Sequence, residues 1–343
     1  MNMAWKEIKK SKAKFVIVGS IIFLISFLTF IISGLANGLS QDNSALVKSM
    51  PQGHFYMNSD ANDTYNLSKI DSERQEELLS QYPEAFALSI QMGFVNDEND
   101  KQHGVAFVAA TESDLFPTVQ EGEIILNSDV QEDGITLNAK LTNEQFSGQF
   151  SVVTFADEQK FSHADVAFIH EQNYKEMYRT NSLQMIFIPG DEEPVIEGMV
   201  SFSNSAFLNT LASYKAEQMT LNMIIWFLIA ISGLLFAIFF YMMNVQKIGL
   251  YGILKAIGVK TSTLFRMMWA QMIFVTVIAL IISISASQLF NAVAPAGMPF
   301  HLTIGATIML SILFLIIGFI GATISGIQIK KVEPLQAIQQ GEM

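Results

Sequence analysis

Four stretches of the chain stay apolar for longer than a bilayer is thick, and one polar segment separates the first from the other three. Phe15 to Gln41 and Gln218 to Gln246 carry no Asp, Glu, Lys or Arg, and neither does any residue between Arg266 and Lys330. A bilayer core takes about 20 apolar residues per helix, so the last stretch holds two spans joined by a tight turn. The spans are expected at 15–41, 218–246, 263–293 and 302–329, with 294–301 as an external hairpin. The fold expected is an α-helical membrane protein with four transmembrane helices (one plus three) and an inserted α+β extracytoplasmic domain over 42–217.

Inside that domain the periodicity changes. Ala85–Ile90, Val105–Ala109, Glu123–Leu126, Phe150–Phe155, Val166–Ile169 and Gln184–Ile188 are short apolar runs bounded by Gly, Asn and Asp, and each predicts a strand. Asp71–Ser80 predicts a capped, charged helix. Apolar positions at Phe207, Leu208, Leu211 and Tyr214 have helical spacing with no Pro or Gly before the second span, so 203–219 is expected to run into that span as one continuous helix.

Charge orients the spans. Eleven of the 20 Lys and Arg lie outside the inserted domain against three of the 32 acids, whereas the domain holds the other nine bases and 29 acids. Short basic flanks stay on the cytoplasmic side, so segment 1–14, segment 247–262 and tail 330–343 are expected inside and the acidic domain outside. The first span runs too long for a signal peptide, and Ile31–Gly38 is a weak cleavage site, so it is expected to be a retained anchor. The chain has no cysteine, so the domain must be stable through its own core, which fits a Gram-positive surface or an exported domain that meets no disulfide-forming system.

Catalytic signals are missing. The sequence has no Gly-x-x-x-x-Gly-Lys-Ser/Thr phosphate loop, no His-Glu-x-x-His and no Gly-x-Ser-x-Gly element. His54, His103, His163, His170 and His301 have no metal-ligand spacing and suit surface or structural roles better. Acidic pairs such as Glu76 and Glu77 suit a solvated face better than acid–base catalysis. No enzyme, intrinsic cofactor, metal site or nucleic-acid partner is expected.

The segment after the second span is more specific. Leu250, Ile253, Leu254 and Ile257 recur at helical spacing, and Gly258 supplies a stop. A plain linker, held inside by its lysines, needs neither feature. An apolar stripe at the membrane surface calls for a partner groove.

The run Tyr251–Lys260, the one-plus-three arrangement and the C-terminal Val332-Glu-Pro-Leu-Gln-Ala-Ile338 together resemble the MacB/FtsX-type permeases of ABC transporters. The resemblance implies that Leu250, Ile253, Leu254, Lys255, Ile257 and Gly258 belong to a coupling helix docking on a separate ATPase subunit. It further implies two copies of that ATPase, which binds the ATP, and a second copy of the permease in the membrane. Small residues on span one (Gly19, Ser20, Ser26, Ser33, Gly34) would permit close approach of two copies, or packing within one chain.

Within that family the chain is most similar to the haem-efflux permeases of Gram-positive bacteria, through Ile32–Leu39, Ala212–Gln218 and Met298-Pro-Phe300. This implies haem as substrate, taken at the outer ends of the first two spans and expelled by an ATP-driven squeeze. Haem needs an apolar slot, a cation or polar group for its carboxylates, and a Tyr, His, Met or carboxylate ligand. Asp42, Tyr214 and Glu217 are the leading contacts, and Met50, His54 and Tyr56 are reserves. Other family activities stay open: a mechanotransducer acting on a cell-wall partner, or an exporter of antimicrobial peptides or drugs.

Overall fold

A computed structural model describes residues 2–295 and 298–331. The motif at 332–338, most of the tail, and Ala296 and Gly297 of the hairpin lie outside the described residues. The chain divides into two compact units, one made of 1–38 and 219–343 and the other of 39–218.

In chain order the elements are α1 (Asn2–Lys10), α2 (Lys12–Ser49), β1 (Gly53–Asn58), α3 (Ser72–Gln81), β2 (Phe86–Asn96), β3 (Gln102–Ala110), β4 (Glu123–Asn127), β5 (Lys140–Asn143), β6 (Phe146–Ala156), β7 (Lys160–Phe161) and β8 (Ala164–Ile169). There follow α4 (Glu171–Tyr178), β9 (Met185–Pro189), β10 (Met199–Ser203), α5 (Asn204–Thr210), α6 (Ala212–Val245), α7 (Ile248–Ala256), α8 (Thr261–Val293) and α9 (Ile304–Lys331).

The inserted unit is built on one sheet in the order β10-β1-β9-β2-β3-β8-β4-β6-β5, with β7 paired to β8. Its pairings are antiparallel except β3 with β8 and β4 with β6. The strands read as nearly continuous apolar runs because both faces of the sheet are covered. Ala87, Ile186 and Ile188 face one core together with Leu78 of α3 and Tyr174 and Met177 of α4. Phe86, Leu88, Met185 and Phe187, their neighbours along the strands, face a second core with Leu46 and Val47 of α2 and Phe207 and Leu208 of α5. Side chains alternate across a strand, so one run of residues serves both layers.

The expected continuous helix over 203–219 is broken. α5 is N-capped by Ser203, whose Oγ accepts from the Ala206 N–H at 3.4 Å, and it stops before Leu211, which is extended (φ −73°, ψ 110°). Leu211 turns its side chain into the second core, and its carbonyl accepts from Lys215 N–H at 3.0 Å to start α6. Apolar spacing alone does not distinguish this break from a straight helix. At α3, Asp71 stands at the N-cap, but its side chain makes no capping bond there.

Among the described residues four helices are long and apolar enough to cross a membrane, at Lys12–Ser49, Ala212–Val245, Thr261–Val293 and Ile304–Ile327, and the apolar stretches of all four belong to the other unit. Their outward side chains, Trp226, Phe227, Ile281 and Ile308 among them, are apolar and exposed, as lipid solvation permits. The first helix overruns the 15–41 span at both ends, because its later turns carry Asp42 and Lys48 while remaining helical.

Small residues of α2 are used within the chain. Ser26 Oγ lies 2.6 Å from Ser283 Oγ of α8. The Gly34 carbonyl accepts from His301 N–H at 2.9 Å, and a Cβ on Gly34 would stand 2.4 Å from the Phe300 ring. A Cβ on Gly38 would stand 2.1 Å from the Pro299 carbonyl oxygen. Ile32–Leu39 and Met298–Phe300, read from sequence as separate signatures, therefore form one contact.

Candidate functional site

In the inserted unit, the last turns of α2 meet the first turns of α6 through polar groups. Tyr214 and Glu217 lie three residues apart on α6, and both face α2. The Tyr214 hydroxyl accepts from Ser40 Oγ at 3.5 Å. Glu217 accepts from Asn43 Nδ2 at 3.3 Å. Asn43 is fully buried and also reaches Ser213 Oγ at 3.4 Å, while its Oδ1 has no partner.

A hairpin tip completes this cluster. Ser162 and His163 join β7 to β8 and both have positive φ (52° and 66°), the backbone twist a two-residue turn between antiparallel strands requires. The tip rests on α2: Ser162 N–H donates to Asn43 O at 3.0 Å and His163 N–H to Asp42 O at 3.1 Å. His163 Nε2 lies 2.7 Å from Glu217 Oε1 and 3.2 Å from Asn43 Nδ2. The hairpin thus bridges two helices.

Asp42 is on α2 as expected, but its side chain is turned toward the sheet rather than toward Tyr214. It faces Lys160 Nζ at 3.7 Å, and Asp129 approaches the same ammonium at 3.0 Å. Burial is the largest single influence on Lys160 and pushes its pKa down, but Asp129, Asp42 and Asp165 together outweigh it and leave the pKa raised. Burial also raises Asp165, against the opposing help of Asn127 and Lys160.

Two of the reserve contacts, Tyr56 and Met50, are buried. Tyr56 is 1% exposed in the first core, with its hydroxyl donating to Pro194 O at 2.8 Å. Met50 is packed in the second core. Tyr56 on β1 and Met50 just after α2 both turn their side chains into these cores. His54 is half-buried on β1, with Nδ1 3.3 Å from Ser201 Oγ.

The structure adds Lys48, which the sequence reading passed over. Its Nζ donates to Ser40 Oγ at 2.6 Å and stands 5.9 Å from the Tyr214 ring centre. Lys48, Leu208, Asn209, Tyr214 and Gln218 line an open groove of about 410 Å³. A cation, a phenol and an apolar wall there suit an amphipathic anion. Sequence could not single out Lys48, because a lysine beyond a span reads as an ordinary flank.

In the helical unit, α7 is the candidate coupling segment. Leu250, Ile253 and Ile257 are 46%, 53% and 72% exposed and share a face. Leu254, one turn on from Leu250, lies at the inner edge of that face, and with Tyr251 it packs into the helical core. Tyr251 Oη donates to Asn244 Oδ1 at 3.1 Å. Gly258 (φ +92°) stops the helix: its N–H donates to Lys255 O at 3.0 Å and Val259 N–H to Leu254 O at 2.9 Å, the paired bonds of a Schellman ending. Lys255 Nζ donates to the carbonyls of Ile329 and Lys330 at 2.7 and 3.3 Å, tying α7 to the end of α9.

Residues 222–334 match the family described as FtsX-like permease C-terminal. Over 98% of its length the chain is 30% identical to a Staphylococcus haemolyticus protein with the provisional name hemin transport system permease protein HrtB, of which 99% is covered. A Staphylococcus epidermidis protein of the same name is 28% identical, with both chains covered completely. Among solved structures, the periplasmic region of MacB from Actinobacillus actinomycetemcomitans covers 46% of the chain and 92% of its own length at 8% identity and a TM-score of 0.35. The extracellular domain of YknZ from Gram-positive bacteria covers 41% of the chain and 83% of its own length at 13% identity and a TM-score of 0.31.

Proposed function

Because the chain belongs to the FtsX-like permeases of ABC transporters, we propose that it exports haem from the membrane as the permease subunit of such a transporter. The observation that carries the reading is similarity along the entire length to two staphylococcal proteins named as hemin permeases. A match confined to the spans would speak only for the permease class.

Local geometry supports the choice of substrate. Haem is a flat apolar ring with two carboxylates, and the groove beside Lys48 and Tyr214 offers a cation, a phenol and the side chain of Leu208. Tyr214 is the favoured iron contact. Glu217 is engaged by His163 and Asn43, so it would join the haem only by exchanging those partners. Asp42, held toward Lys160, is a less direct contact than the sequence suggested.

The working unit in this reading is two permease copies with two ATPases, the termini and α7 cytoplasmic and the inserted domain outside. The exposed face of Leu250, Ile253 and Ile257 docks on the ATPase, and closure of the ATPases is carried to the far ends of the first two spans. Ser26 and Gly34 are occupied within the chain, so a contact between copies uses another face.

Titrating purified full-length protein with ferric haem tests the reading. The wild type is expected to give a stoichiometric shift of the haem absorption band, which Tyr214→Phe and Lys48→Ala weaken and the core control Tyr56→Phe preserves. No saturable binding by the wild type would overturn haem as substrate.

A further inference from the structure

The coupling helix is joined covalently to α6 and α8, through Lys247 at one end and the Gly258 turn at the other. No covalent link joins it to α2, the first span, whose far turns carry Ser40, Asn43 and Lys48. A squeeze that moves α2 with the coupling helix needs another connection between them.

That connection stands at the start of α7. Lys247 is the N-cap residue of α7, but its side chain does not cap the helix. It forms an ion pair with Glu7 of α1, both side chains being only 14% exposed, and its ammonium lies 5.9 Å from the ring centre of Phe15 on α2. The second oxygen of Glu7 accepts from Gln271 Nε2 of α8 at 2.6 Å, and Gln271 is almost fully buried. One residue back, Gln246 Oε1 accepts from Lys14 Nζ of α2. α1 passes into α2 through Ser11 alone, with Ser11 N–H bonded to Glu7 O and Phe15 N–H to Ser11 O. Glu7 therefore sits at a point fixed to α1, α2, α7 and α8 together.

From this geometry we propose that Glu7 is a positioning residue for ATP coupling: its ion pair with Lys247 clamps the N-terminal helix to the coupling helix, so that α7, α1 and the start of α2 move as one body. This rests on the reading of α7 as the ATPase-coupling helix. The site suits such a role chemically. A half-buried pair excludes water that would let the two charges separate, and Gln271 fixes the carboxylate's orientation. Burial lowers the Lys247 pKa, Lys14 adds to the effect, and Glu7 opposes it. An apolar contact could hold α1 nearby but would allow it to slide.

The test uses the full permease with its ATPase subunit in nanodiscs. The cysteine-free chain allows spin labels at Lys10→Cys and Ala256→Cys on an otherwise unaltered background. In the wild-type complex the label pair is expected to keep one narrow distance in both the nucleotide-free and vanadate-trapped states. Glu7→Gln should broaden that distance and lower the kcat of permease-stimulated ATP hydrolysis about five-fold or more, with the KM for ATP and ATPase co-purification unchanged. The exchange Glu7→Lys with Lys247→Glu should restore at least half of the lost rate, which a purely steric defect would not allow. A label distance that changes between states in the wild type overturns the clamp, as does a Glu7→Gln protein with a narrow distance and full stimulation. If the wild type fails to stimulate the ATPase at all, the coupling reading of α7 fails instead, and the label distance in nucleotide-free Glu7→Gln still judges the clamp.

Discussion

His163, at the tip of the β7–β8 hairpin, holds Glu217 near the start of the second span: Nε2 and Oε1 are 2.7 Å apart. The two residues are 54 positions apart in sequence, and the backbone of the same hairpin rests on Asp42 and Asn43 of α2. The hairpin thereby ties this end of α2 and the start of α6 to the sheet. Removing either side chain, as His163→Ala or Glu217→Gln, should cost about 1 kcal/mol of stability, because both are roughly a third exposed and the pair is screened by solvent. A double-mutant cycle by thermal unfolding of the full protein should return a coupling of about 0.5–1 kcal/mol. A coupling of zero would mean that the two side chains do not meet.

Substitutions on α7 should separate into two kinds. Ile257→Asp, on the exposed face, should leave unfolding unchanged and abolish co-purification with the ATPase. Leu254→Asp places a carboxylate in the helical core and should cost more than about 4 kcal/mol, seen as lost expression or aggregation in size-exclusion chromatography. If Leu254→Asp were well folded, the assignment of its face would be wrong.

Two glycines of α2 differ in what an added methyl meets. At Gly34 it strikes the far edge of the Phe300 ring, which can rotate, whereas at Gly38 it strikes the backbone of Pro299, which cannot. Gly34→Ala should cost about 1–2 kcal/mol and be partly relieved by Phe300→Leu. Gly38→Ala should cost more, and no side-chain change at 300 should relieve it. Thermal unfolding of the three single variants and of Phe300→Leu combined with each glycine substitution decides the matter.

Asp165 titrates in the direction opposite to an ordinary paired carboxylate. Its folded pKa is raised, chiefly by burial, so between the unfolded value and the folded one the native state binds more protons than the unfolded state. Its contribution to stability therefore falls as pH rises through that window. Asp165→Asn should raise the unfolding temperature at pH 7, and the gain should shrink as pH is lowered to about 4. A gain that grew on acidification would contradict the burial of this carboxylate.

The four spans and the inserted domain were legible in the chain because their signals are local. A bilayer imposes a length on charge-free segments, and a strand covered on both faces reads as a short apolar run bounded by turn residues. The six apolar runs read as strands all lie in or overlap strands of the sheet. Gly258 was legible for the same reason, since a Schellman ending needs a residue free to adopt positive φ.

Long-range contacts were not legible. Nothing in Tyr56 or Met50 distinguishes a core side chain from a ligand contact until the sheet and α5 close over them. The break at Leu211, the turn of Asp42 toward Lys160, the grip of His163 on Glu217 and the pairing of Glu7 with Lys247 each depend on which of several compatible partners the packed chain brings within hydrogen-bond distance. A charge or an apolar side chain fixes what kind of neighbour a residue needs, and its sequence neighbourhood fixes the local helix or strand. Which distant residue meets that need follows from the cooperative closing of the cores around it, a property of the folded chain and not of any segment of it.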